Sequence, residues 1–202
     1  MKRSIKITLC ALISLILLSF VSLITGFGFF TPQLSSLLSL IIIPACALLF
    51  LDNAADAKSE FKPSGLIGKG KVERSFFPDT LLRAASLFIG ILLVFALSMG
   101  RDASVRRSLV FFMFSLGLTL QTLSLMSKTK TLPRMIKEKR SGFAFLGAGL
   151  ITLLTLLLTF VPFVNTAFSL GTPDLSVALI ALIITVVSNG WFEVSKYIKN
   201  KK

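Results

Sequence analysis

Polar and apolar positions do not alternate along this chain, and they do not recur at the spacing of a surface helix; apolar residues arrive in long blocks. Six blocks stand out, at about 7–30, 32–51, 80–100, 108–126, 143–164 and 173–192. Each is near the ~20 residues that a helix needs to cross a bilayer, and strands of that length would be far too long. The pattern therefore predicts an all-α polytopic membrane protein with six transmembrane helices in three hairpins, built as a single membrane domain over 1–202. Local signals set the ends. Gly26 and Gly28 supply the first turn, and Thr31-Pro32 reads as an N-cap followed by proline at the first helical position. Thr172-Pro173 reads as the same device before the sixth block. The first block follows a short basic start but exceeds the 7–15 residues of a signal-peptide core and lacks a small-residue cleavage site, so it reads as an uncleaved helix.

Composition agrees: 54% of the 202 residues are hydrophobic, 15% are charged, and mean hydropathy is +0.85. The net charge of +13 changes the picture more, because it is unevenly placed. The N-terminal stretch (Lys2, Arg3, Lys6), the loop 52–78, the loop 127–142 and the tail after 192 together hold 18 Lys and Arg. The connections at the other ends of the blocks hold 3, namely Arg101, Arg106 and Arg107. By the positive-inside rule both termini are cytoplasmic, in a plasma membrane whose anionic headgroups the basic loops meet. That assigns the charge to lipid and not to nucleic acid. Trp191 and Tyr197 fall where interfacial aromatic anchors sit. Cys10 and Cys46 lie inside apolar blocks and read as small buried residues.

The residue inventory limits the chemistry. There is no His, and two cysteines cannot complete a zinc site, so no catalytic, cofactor or metal residue is expected and the chain does not read as an enzyme. Every Asp and Glu falls in a loop or at a block end, and no ionisable side chain is expected to face a bundle interior; Arg83 stands just inside the third block. What the blocks do contain is hydroxyl and amide chemistry: Ser14, Ser19 and Ser22; Thr119, Gln121 and Thr122; Thr152, Thr155 and Thr159; Ser188 and Asn189. These read as interhelical hydrogen bonds, with a polar permeation path as the other reading. Gly65 to Lys71 is glycine-rich and basic but has the wrong spacing for a phosphate-binding loop. Ala144, Gly147, Ala148 and Gly149 suggest one close helix contact on the fifth block, and Pro44 removes a backbone donor within the second.

Several short runs share an order with a known family. Ile43-Pro44-Ala45-Cys46-Ala47-Leu48-Leu49-Phe50-Leu51-Asp52 resembles the L-P-A-L-A-L-G-x-[ED] run of P-type cation-transporting ATPases, at the end of the first helical hairpin of their last six helices. Ala103-Ser104-Val105-Arg106-Arg107 is similar to their E-A-R-T-M-A entry into the eighth helix, Val161-Pro162-Phe163 to the V-P-F closing the ninth, and Trp191-Phe192-Glu193-Val194-Ser195-Lys196 to their final x-x-E-L-x-K. The resemblance runs from about Thr31 to the C-terminus and implies that Pro44, Arg106, Pro162, Glu193 and Lys196 are family structural positions.

The departures from the family bear on function. Its sixth helix carries N-x-x-T-D shortly before L-P, and those side chains bind the transported cation; counting back from Pro44 places Leu37, Leu40 and Ile41 there. A glutamine common in the eighth helix falls near Gly117, with Gln121 one turn further on. No D-K-T-G-T run for aspartyl-phosphate formation occurs within the 202 residues. The resemblance thus implies a membrane subunit that supports a P-type ATPase-like partner, contacted through the basic loop 52–78, without itself hydrolysing ATP or binding the ion. A non-transporting scaffold or regulator, or the remnant of a shortened pump gene, is the alternative.

Overall fold

The computed structural model describes residues 2–50, 76–126 and 142–199, and every regular element in that set is a helix. Helix α1 spans Lys2–Thr25 and α2 spans Pro32–Leu48; α3 is Phe76–Leu97 and α4 Ala103–Met126. Then come α5 (Gly142–Phe160), the short α6 (Pro162–Ala167) and α7 (Leu175–Lys199). Five of these, all but α2 and α6, are long and apolar enough to cross a membrane. Helix α2 has 17 residues, about 25 Å at 1.5 Å per residue against a hydrocarbon core of ~30 Å. The loop 52–78 up to residue 75, with the glycine-rich run at 65–71, lies outside the described residues, as does most of the loop 127–142.

The ends differ from the sequence reading where a local signal was outweighed. Helix α1 includes the basic start and stops at Thr25, because Gly26 takes φ +68°, a conformation that ends a helix at little cost only for glycine. The Thr31 cap forms as expected: its Oγ1 accepts the Leu34 N–H at 3.3 Å, with Pro32 at the first turn. Thr172-Pro173 does not cap α7. That helix starts at Leu175, with the Ala178 N–H donating to the Asp174 carbonyl at 3.0 Å, while Thr172 Oγ1 accepts from Asn165 Nδ2 at 2.8 Å. The fifth block is two helices, because Pro162 lacks the N–H that would continue α5.

Helix α4 is the axis of the bundle. It packs against α3, α5 and α7 and also touches α1 and α2, and nearly every side chain from Ser108 to Thr122 is buried. It is also the least apolar of the five long helices, since its neighbours are protein rather than lipid. The outer helices show the inverse pattern. On α7 the buried stripe is Ala178, Ala181, Thr185, Asn189 and Phe192, at spacings of three and four, while Leu179, Ile180, Ile183, Val186 and Val187 are exposed. In water that face would be costly; in hydrocarbon it is the solvated one, and the small or polar stripe is what packs. Close approach is set by Gly90, where an added Cβ would lie 2.2 Å from Met113 Cε and 2.8 Å from Ser188 Oγ. The expected contact on α5 is present. Ala144 and Ala148 are buried, and a Cβ on Gly147 would lie 2.3 Å from Leu49 Cδ2.

At the end of the bundle away from the N-terminus, aromatic and guanidinium groups tie the first turn to α3 and α4. Phe27, Phe29 and Phe95 form a ring cluster with centroids 4.8–5.4 Å apart. Arg106 lies over Phe27 at 4.6 Å, and Arg107 donates from Nε to the Gly28 carbonyl at 3.0 Å. Arg101 pairs with Asp174 at 2.6 Å, which joins the α3–α4 turn to the start of α7.

Helix α2 does not break at Pro44. Residues Leu38–Ile42 form a π-helical turn, in which the Ile43 N–H donates to the Leu38 carbonyl, and α-helix resumes over Ile43–Leu48. The buried residues explain the wide turn. Leu34, Leu38, Ile42 and Cys46 lie four apart, and in a regular helix that spacing drifts around the axis by about 40° each time. One turn of larger repeat keeps the stripe on the bundle and makes room for the proline ring.

Candidate functional site

The most concentrated polar chemistry is buried toward the N-terminal end of the bundle, where α1, α3, α4 and α7 meet. Gln121 of α4 is its hub and is fully buried. Its Nε2 donates to the Arg83 carbonyl at 2.9 Å and to Asn189 Oδ1 at 2.8 Å, and its Oε1 accepts from Cys10 Sγ at 3.0 Å. Asn189 Nδ2 donates to the Thr185 carbonyl at 2.9 Å and to Ser188 Oγ at 3.1 Å. Ser14 Oγ lies 3.3 Å from the Ala84 carbonyl, and Ser86 donates to the Ser188 carbonyl. One amide thus joins four helices, and every polar atom of Gln121 is used.

A charged group borders this network, contrary to the expectation that no ionisable side chain would face the interior. Arg83 is only 5% exposed. Its guanidinium lies 4.2 Å from the Phe192 ring centre, and its Nε is 3.5 Å from Asp79 Oδ1 one turn earlier on α3. Nη1 has no hydrogen-bond partner among the described residues. Asp79 is shared, since Lys6 of α1 donates to its other oxygen. A cation taken out of water persists only with compensation, and the carboxylate and the ring face supply it. The Asp79–Arg83 spacing of i, i+4 was visible in the sequence; that the side chain turns inward against Phe192 was not.

Most of the remaining hydroxyls bond to their own helix rather than across helices as the sequence suggested, although Thr119 and Thr122 of α4 also lie within hydrogen-bond reach of Cys46 on α2. Thr119, Thr122, Thr152, Thr155 and Thr159 each donate to the carbonyl four residues back in their own helix. Ser19 does the same. That bond is available to any helical Ser or Thr without a partner, so it satisfies the group wherever the side chain points. No group of three or more potential metal ligands occurs among the described residues.

The positions singled out by the resemblance do not gather into one site. Leu37 is half-buried against the core, whereas Leu40 and Ile41 are 76% and 51% exposed on the outward face of α2. Pro44 shares that exposed face. Arg106 is in the first turns of α4, Pro162 opens α6, and Glu193 and Lys196 lie near the end of α7, at the opposite end of the bundle from Arg106.

Five apolar spans, four of them packed around the protein-enclosed α4, define a multi-pass helical membrane protein. Residues 68–198 match the family model for the C-terminus of cation transporting ATPases, and the chain belongs to that family. Arg106, Pro162, Glu193 and Lys196 fall inside the matched region; Leu37, Leu40, Ile41 and Pro44 precede it. Among curated proteins no match was found.

Proposed function

We propose that this chain is an accessory or split membrane subunit, resembling the C-terminal membrane half of a cation pump, that supports cation transport without itself hydrolysing ATP or binding the ion. The observation that carries the reading is the family match over residues 68–198, taken with the apolar side chains at 37, 40 and 41. Where the family's sixth helix presents liganding oxygens, this chain presents Leu37, Leu40 and Ile41, two of them facing outward. In this reading α2 is a sixth, short membrane segment, and both termini lie in the cytoplasm of a cell bounded by the plasma membrane that houses the protein. The basic loop 52–78 faces the ATPase domains of the partner.

The test is an epitope-tagged chain solubilised in mild detergent, together with a deletion strain challenged with a panel of cations. Co-purification of a P-type ATPase-like polypeptide and a changed cation tolerance are expected. Recovery of the chain without such a partner, with tolerance unchanged, refutes the proposal and favours the scaffold. Reporter fusions after residues 102 and 199 check the orientation: an external reporter at the first site and a cytoplasmic one at the second are expected.

A further inference from the structure

We propose that the outward face of α2 is covered in the membrane by a transmembrane helix of a partner polypeptide, one that presents hydrogen-bond donors to it. This rests on the reading of the chain as a membrane subunit and says where its partner sits.

Pro44 has no N–H to donate, so the carbonyl of Leu40, or of Ser39 across the π turn, receives nothing from position 44. These groups are not at a helix end. Leu40 lies eight residues into α2, about 12 Å from its start, which is close to the middle of a ~30 Å hydrocarbon core. Ser39, Leu40, Ile41 and Pro44 are all exposed, Leu40 by 76%. A carbonyl left without its donor at that depth is costly against lipid, and a neighbouring helix is one of the means by which it is satisfied.

The side chains around it point the same way. Ser36 and Ser39 spend their hydroxyl protons on the Pro32 and Ser35 carbonyls of their own helix, which leaves acceptor lone pairs facing outward. Ser35 is exposed beside them. The face is therefore rich in acceptors and poor in donors. Its complement is a helix carrying Ser, Thr, Asn or Gln side chains, whose O–H and N–H groups would complete these bonds. The outward face of α7 between Leu179 and Val187, by contrast, is made of Leu, Ile and Val and fits lipid. A 17-residue helix, too short to match the bilayer by itself, is also better accommodated beside a longer one.

The experiment places a benzophenone side chain at Ser36, Leu40 or Ile41, and at Ile183 of α7 as control, in the full chain in native membranes. Irradiation is expected to give adducts to an ATPase-like polypeptide from the three α2 positions and lipid adducts from Ile183. Pro44→Ala, which restores the missing N–H, is expected to lower the α2 adduct yield about fivefold, the worth of one interhelical hydrogen bond, while the chain still inserts. Adducts of α2 to lipid alone, or to a second copy of this chain, overturn the inference. If the tagged chain brings down an ATPase-like partner but the adducts map to α7, this inference fails and the proposed function stands. If no such partner is recovered at all, both fail.

Discussion

Replacing Gln121 by Leu removes the hub of the polar core while keeping its volume close to native. Two strong bonds disappear, to the Arg83 carbonyl at 2.9 Å and to Asn189 Oδ1 at 2.8 Å, along with the weak one from Cys10 Sγ. Interhelical side-chain bonds in membrane proteins are worth about 1 kcal/mol each, and an orphaned buried acceptor such as Asn189 Oδ1 costs about 1 kcal/mol more, so the variant should lose ~3 kcal/mol. The Arg83 carbonyl remains within its own helix, which is why the loss is no larger. Unfolding of the purified chain by a denaturing detergent titrated into mild micelles, followed by far-UV circular dichroism, measures it. A cycle with Asn189→Leu isolates the pair: the double variant should be less damaged than the sum of the singles by about 2 kcal/mol, because the shared bond is lost only once and the acceptor orphaned in one single is gone in the double. A Gln121→Leu loss below ~0.5 kcal/mol, or strict additivity in the cycle, would show that the amide does not join the helices as described.

Three further outcomes can be checked by the same unfolding assay. Asp79→Asn should destabilise by about 1 kcal/mol, since it removes the nearer counter-charge of the buried Arg83 guanidinium and leaves Glu193, whereas Arg83→Met should be neutral or stabilising; equal losses from both would contradict the asymmetry of a desolvated pair. Gly90→Val should cost about 1–3 kcal/mol by driving a side chain into Met113 and Ser188, and Met113→Ala in the same chain should restore part of it; no rescue would mean that the contact lies elsewhere. Arg106→Ala removes the cation over Phe27 at a cost of about 1 kcal/mol and should speed amide exchange in residues 26–31, with exchange elsewhere unchanged.

The extent to which the sequence announced this architecture varies with the kind of signal. Thr31-Pro32 was legible because capping is a matter of adjacent residues, and the cap forms. Thr172-Pro173 carried the same letters and failed, since Asn165 competes for the threonine oxygen from a separate helix. Pro44 foretold a disturbance in α2 but not its form. Whether a proline kinks, breaks or widens a helix depends on what its neighbours pack against, and here a four-residue stripe on the bundle selects the π turn. The family was readable from ordered short runs, and the match over 68–198 takes in the last three of them, while the run at 43–52 precedes it.

Block length and the dearth of charge were enough to determine a helical membrane protein, because hydrocarbon admits only segments that satisfy their own backbone, and that requirement is local. Only the tertiary structure decided which polar groups matter. Thr155 and Gln121 look equally suited to interhelical bonding in the sequence, yet one bonds within its own helix and the other joins four. Arg83, read from the sequence as standing just inside the third block, turns out to be buried against Phe192, a residue 109 positions away. Periodicity assigns a side chain to a face of its helix. What lies opposite that face depends on how the helices are arranged around α4, and the free energy of a buried donor, acceptor or charge depends on that partner alone.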